Sequence, residues 1–67
     1  MTASLVAQLV ADLLAKNVAF SVGTNPDLVN DWIVTAMPNG TVDAKQIAQL
    51  EVKYGISSPI TNSVVFV

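Results

Sequence analysis

The sequence predicts a small mixed α+β domain, and three observations carry that expectation. Residues 3–18 repeat a four-residue unit that reads as a helix. Residues 18–22 alternate as a half-buried strand does, and residues 41–54 carry a second helical pattern between a Pro-Asn-Gly turn and Gly55.

The first helix is drawn by the units Ala-Ser-Leu-Val, Ala-Gln-Leu-Val, Ala-Asp-Leu-Leu and Ala-Lys-Asn-Val. Residues four apart lie nearly above one another on a helix, so the units make rows. Leu5, Leu9 and Leu13 form one row, and Val6, Val10 and Leu14 form the next. Ala3, Ala7, Ala11 and Ala15 make a smooth third row, and Ser4, Gln8, Asp12 and Lys16 make a polar one. Asp12 and Lys16 stand as a favourable i,i+4 pair, and Thr2 is placed to cap the start. A surface helix keeps about half its girth polar, whereas this one keeps about a quarter. Two readings fit. Either the helix is wrapped inside its own small fold, or the alanine row is a close-approach face for another chain.

Asn17 ends this helix, and Val18-Ala19-Phe20-Ser21-Val22 reads as the first strand. Gly23-Thr24-Asn25-Pro26-Asp27 is dense in turn formers. The segment 28–37 supports two assignments. Leu28, Val29, Trp32, Ile33 and Met37 have helical spacing after Pro26, while Asp31-Trp32-Ile33-Val34-Thr35 has the composition of a strand pairing with 18–22. After Pro38-Asn39-Gly40, Thr41 or Asp43 caps a helix with Ala44, Ile47, Leu50 and Tyr54 on one face. Lys45, Gln46, Gln49 and Lys53 take its solvent side, and Gly55 is placed to stop it.

Residues 56–63, Ile-Ser-Ser-Pro-Ile-Thr-Asn-Ser, read as a polar tether, and the chain closes on Val64-Val65-Phe66-Val67. Termini are ordinarily polar and frayed, and a free apolar run of high β-propensity is an aggregation liability. It is therefore a final strand of the protein's own sheet, an arm that docks on a neighbour, or a chain cut short.

Composition excludes more than it proposes. The 67 residues contain no His, Cys or Arg, 12% charged and 52% hydrophobic residues, and a net charge of −2. Disulfides and Cys/His metal sites are excluded, and no cofactor is expected. One core in so short a chain supplies only about 3–5 kcal/mol, which favours a partner. The stretch Leu5 to Val22 is interrupted by Gln8, Asp12, Lys16 and Asn17, so no membrane span is expected. The start lacks the features of a signal peptide, which points to synthesis and use in the cytoplasm or inside a particle assembled there. Acid–base candidates are five carboxylates, three lysines and one tyrosine. Asp27 and Asp31 could share a helix face, but they sit among turn formers, where solvated caps are the ordinary role. Ser57 and Ser58 have no histidine and no well-spaced lysine to activate them. The chain is read as non-enzymatic.

Two motif-like features fail on chemistry. Asn39-Gly40-Thr41-Val42 before a helix resembles the exit of a calcium loop, but the ligand positions would fall on Thr35, Met37, Asn39 and Gln46, without carboxylates. Lys53-Tyr54-Gly55-Ile56-Ser57 looks like the turn of a helix-turn-helix regulator, the alternative of a different class. Its second helix would hold Pro59 and no basic residue, whereas phosphate contacts need Lys or Arg.

The stretch Ile47-Ala48-Gln49-Leu50-Glu51-Val52-Lys53-Tyr54-Gly55-Ile56 is similar to the second helix of the small head–tail joining (head-completion) proteins of tailed phages, which share an Ile-Ala-x-Leu-Glu-Val-x-x-Gly run. Asp12-Leu13-Leu14 leading into Val18–Val22 resembles the family's first helix and strand, and Ile33-Val34-Thr35-Ala36 its second strand. The resemblance implies an α-β-β-α domain over 1–56, two helices packed with a β-hairpin, and an extended apolar C-terminal tail over 57–67. It also implies a virion protein assembled in the host cytoplasm, forming a homo-oligomeric ring that docks to portal, connector or capsid proteins. A capsid cement or decoration protein is the nearest alternative. By this resemblance Val64, Val65, Phe66 and Val67 dock to the partner, and Ala3, Ala7, Ala11 and Ala15 would be the helix interface if the alanine row faces another chain. A ring around exiting DNA suits arginine, which this chain lacks, so contact with protein is expected and contact with nucleic acid is doubtful.

Overall fold

The computed structural model describes residues 1–24, 31–55, 57–60 and 63–67, the span 57–60 by its backbone alone. Its elements run α1 (Ala3–Ala15), β1 (Ala19–Thr24), β2 (Trp32–Met37), α2 (Thr41–Tyr54), β3 (Ser57–Ile60) and β4 (Ser63–Phe66). The protein is thus a mixed α+β domain. The strands form one antiparallel sheet in the order β1-β2-β4-β3, and the two helices share a core with one of its faces.

The ends of α1 follow from three residues. Thr2 has an extended backbone, and its hydroxyl accepts from the Leu5 N–H at 3.3 Å. At the other end Asn17 takes a left-handed conformation, φ 57°, which asparagine tolerates better than most side chains. The Asn17 N–H then donates to the Leu14 carbonyl at 3.1 Å and the Val18 N–H to the Leu13 carbonyl at 3.0 Å. This is the Schellman pattern, and its usual apolar contact is present because Leu13 and Val18 both lie in the core.

Capping of α2 is divided between two residues. Gly40, at φ 96°, occupies the N-cap without a side chain to offer. Asp43, in the first turn, accepts from the Asn39 N–H at 2.9 Å, and its charge suits the positive end of the helix. Gly55, at φ 91°, ends the helix with its N–H on the Glu51 carbonyl at 2.9 Å.

Register places the core. Phe20 pairs with Ala36, Val22 with Val34, Val34 with Phe66 and Ala36 with Val64. Directly opposed residues share a face, so these side chains all turn to the helices. There Leu9 and Leu13 from α1 and Ile47 and Leu50 from α2 meet Val34, Ala36 and Phe66. The start of the chain is tied to the same sheet. The Met1 amino group donates to Asp31 Oδ1 at 2.6 Å and to the Trp32 carbonyl at 2.8 Å, while the Trp32 N–H donates to the Met1 carbonyl at 2.9 Å.

The segment 28–37, open between helix and strand, is a strand over Trp32–Met37, the assignment the resemblance implies, and 28–30 lie outside the described residues. Two expectations are corrected here. Ala44, expected on the buried face of α2, is exposed, and that face narrows to Ile47, Leu50 and the half-buried Tyr54. The extended tether and tail over 57–67 is the larger correction. Ser57–Ile60 and Ser63–Phe66 form a hairpin, and β4 lies between β2 and β3, paired to both. A run of high β-propensity next to an unpaired strand adds its main-chain hydrogen bonds to the sheet, and Phe66 fills the core at 1% exposure. The sheet therefore continues past residue 56 to Phe66.

Candidate interaction surfaces

Besides the Met1–Asp31 pair and the Asp43 cap, charged side chains of the described residues meet in one cluster at the α1–α2 junction. Asp12 does not pair primarily with Lys16 on its own helix. Its Oδ2 accepts from Lys53 Nζ at 2.9 Å and from the Tyr54 hydroxyl. Lys53 also sits 5.2 Å from the centroid of the Tyr54 ring. The hydrogen bond from Tyr54 first, and that from Lys53 second, hold the Asp12 carboxyl below its ordinary value, with Lys16 adding a weaker pull from further away. Desolvation, followed by the bond to Asp12, raises the Tyr54 hydroxyl. Lys53 is raised by its hydrogen bond to Asp12. Each shift favours the protonation state already present near neutrality, so the cluster acts as a clasp between helices. Among the described residues no group of three or more acidic, His or Cys side chains converges to hold a metal.

Apolar surface is distributed differently from the sequence reading. Ala3, Ala7, Ala11 and Ala15 are all exposed, which answers one of the two readings of the first helix: the alanine row is outside the fold. Leu14 is exposed alongside it at 65%, and Leu5 is partly so, although Leu9 and Leu13 in the row of Leu5 are buried and Val6 in the row of Leu14 packs on the core. Leu14 lines an open hollow of about 400 Å³ with Asn17, Val18, Ala19 and Phe20. Val64, Val65 and Phe66 are instead committed to β4, with Val67 half-exposed beyond it. Val65 turns to the sheet face opposite the helices, where Thr35 is its direct partner.

Sequence reasoning missed three features. The Asp12–Tyr54 contact joins residues 42 apart in the chain, which no local pattern encodes. The Met1–Asp31 pair is equally non-local. The third is Gln46 Oε1, buried with no hydrogen-bond partner among the described residues, although its helical position marked it as solvent-facing. None of the described helices is long and apolar enough to cross a membrane.

No family model, no curated protein and no solved structure matches this chain.

Proposed function

We propose that the chain is a non-catalytic docking subunit that works by protein–protein contact in an assembled particle, of the head–tail joining type that its second helix resembles. The observation that carries this reading is the exposed apolar side of α1, made of Ala3, Ala7, Ala11, Ala15 and Leu14. Small side chains let a partner's backbone approach closely, and Leu14 is the anchor that would lose the most water on contact. The resemblance adds two supports. The shared run 47–55 falls on α2 and its terminal glycine, and the first four elements come in the order helix, strand, strand, helix.

Val64, Val65 and Phe66 pair within the sheet and are not a free docking arm, and Val67 alone extends beyond it. The regulator alternative is also weakened. Gly55 leads into β3 rather than into a second helix, so the described residues offer no recognition helix after the turn. The docking subunit and the capsid decoration alternative share the same surface and differ in the partner.

The test is particle fractionation from producing cells, with a small tag after Val67. The chain is expected to co-sediment with particles, while the Ala7→Glu/Ala11→Glu variant stays folded by circular dichroism and remains in the soluble fraction. Co-sedimentation unaffected by both changes would sink the α1 docking face. Absence of the folded parent chain from particles would sink the assembly role itself.

A further inference from the structure

We infer that the chain pairs with a second copy of itself along β1, the two α1 helices meeting above the joined strands. The first observation is an unguarded sheet edge. Among the described residues β1 has one neighbour, β2, and its other side is open. Edge strands are ordinarily protected by lysine, proline, a bulge or shortness. Ala19–Thr24 contains no charge and no proline, runs for six residues, and pairs with β2 through six consecutive partners without a bulge. The opposite edge differs. β3 is four residues long and carries Pro59, which cannot donate a main-chain hydrogen bond.

The second observation is what stands above that edge. Asp12 marks the flank of α1 turned towards α2. At about 100° per residue, Ala3, Ala7, Val10 and Leu14 lie roughly opposite it, over the β1 side. None of the four is charged. The hollow that Leu14 lines together with Ala19 and Phe20 joins the Leu14 end of this flank to the start of β1.

The occupant follows from symmetry and charge. A two-fold axis through β1 brings the strand against its own copy in the antiparallel sense that the sheet already has. Both helix layers then lie on one side of a continuous sheet, so each α1 flank faces the same flank reversed, and Ala3 and Ala7 permit close approach. Across such an axis residues meet their own kind, and like charges would repel. This surface has none, and equally it offers nothing to attract a charged partner.

Its size sets the strength. α1 and β1 are each about 20 Å long, from 13 residues at about 1.5 Å and six at about 3.4 Å. A strand and helix layer about 20 Å high gives a projected patch of about 400 Å² per copy, below the roughly 800 Å² of a standard interface. A dissociation constant on the order of 10–100 µM is expected for so small an apolar contact. The pairing takes Ala3, Ala7 and Leu14 from the α1 side used by the docking role and leaves Ala11 and Ala15 to a particle partner; it does not depend on that role, since pairing can fail while the particle test above succeeds.

Sedimentation of the full chain from about 10 µM to about 1 mM reads the pairing directly. A monomer–dimer equilibrium without higher species is expected. Leu14→Glu and, separately, Ala7→Glu should each weaken it by about tenfold or more, an anchor-sized loss. Val52→Glu, on α2 at 87% exposure, should leave it unchanged. Because the chain has no cysteine, single changes Ser21→Cys, Val22→Cys and Gly23→Cys report the geometry cleanly. One of them should form an intermolecular disulfide faster than Ala48→Cys does. A chain that stays monomeric throughout, or a dimer indifferent to Leu14 and Ala7 whose cross-links peak outside β1, would overturn the inference.

Discussion

The hydroxyl of Tyr54, in the last turn of α2, donates to the carboxylate of Asp12 on α1, and this bond fastens the two helices across 42 residues of chain. Lys53 reinforces it on the same oxygen. Among the described residues the other link between the two helices is the shared core beneath them.

The clasp predicts a pH window for stability. Asp12 is lowered in the folded state, so its contribution is present above the ordinary carboxyl value of 3.8 and is lost as pH falls through the folded value. Tyr54 and Lys53 are raised from 10.0 and 10.5, so theirs is present below those values and is lost as pH rises through the folded ones. Urea midpoints should therefore be flat between the two regions and fall at both ends. Asp12→Asn should flatten the acid limb and lower the plateau. Tyr54→Phe should lower the plateau and reduce the alkaline fall. An acid limb unchanged in Asp12→Asn would show that other carboxylates govern it.

The β4 assignment predicts that the C-terminal residues are required for folding. Phe66 fills the core beside Val34, and truncating a buried phenylalanine costs about 3–5 kcal/mol. A single core of this size supplies about the same, so Phe66→Ala should leave the chain largely unfolded. Deleting residues 64–67 should do so completely, with loss of both the circular dichroism signal and amide dispersion. A folded deletion variant would return these residues to the status of a tail.

How much of this was legible depended on the range of the interactions involved. The two helices were readable because Thr2, Asn17, Gly40 and Gly55 act on backbone within one turn of themselves. The strand character of 18–22 was readable from alternation, and Leu9 and Leu13 declared themselves by their row. The β3–β4 hairpin was not, because Ser57-Ser58-Pro59 has loop composition and its pairing partner is distant in sequence. A strand's identity rests on neighbours that sequence does not bring together. For the same reason Leu5 and Leu14 looked like core. A row four residues apart drifts about 40° per step, so Leu5 falls off the face where Leu9 and Leu13 are buried, and Leu14 off the face where Val6 packs. The alanine row was legible as a smooth row, but its exposure and its relation to the β1 edge required the fold.

Asn17 should behave as a conformational rather than a packing residue. At φ 57° a β-carbon is strained unless its side chain suits the left-handed region, and the penalty for an ordinary residue is about 1–2 kcal/mol. Asn17→Ala is expected to destabilise by about 1 kcal/mol, and Asn17→Gly to match or exceed the parent. Thermal midpoints of the three proteins decide it. If alanine proves neutral, the Schellman turn is not what ends α1.

Gln46 offers a test with the opposite sign. Its Oε1 is buried and makes no hydrogen bond among the described residues, so the folded state bears a desolvation cost that water removes in the unfolded chain. Leucine keeps most of the volume, has strong helix propensity and brings no polar atom. Gln46→Leu should therefore stabilise the fold by about 1 kcal/mol, the lower end of what one unsatisfied buried group costs. A control at Gln49, exposed on the same helix, should change little on the same substitution. Chemical denaturation with a common m-value reads both. Destabilisation by Gln46→Leu, with Gln49→Leu neutral, would mean that the amide is satisfied in solution and that its position on α2 is polar by requirement.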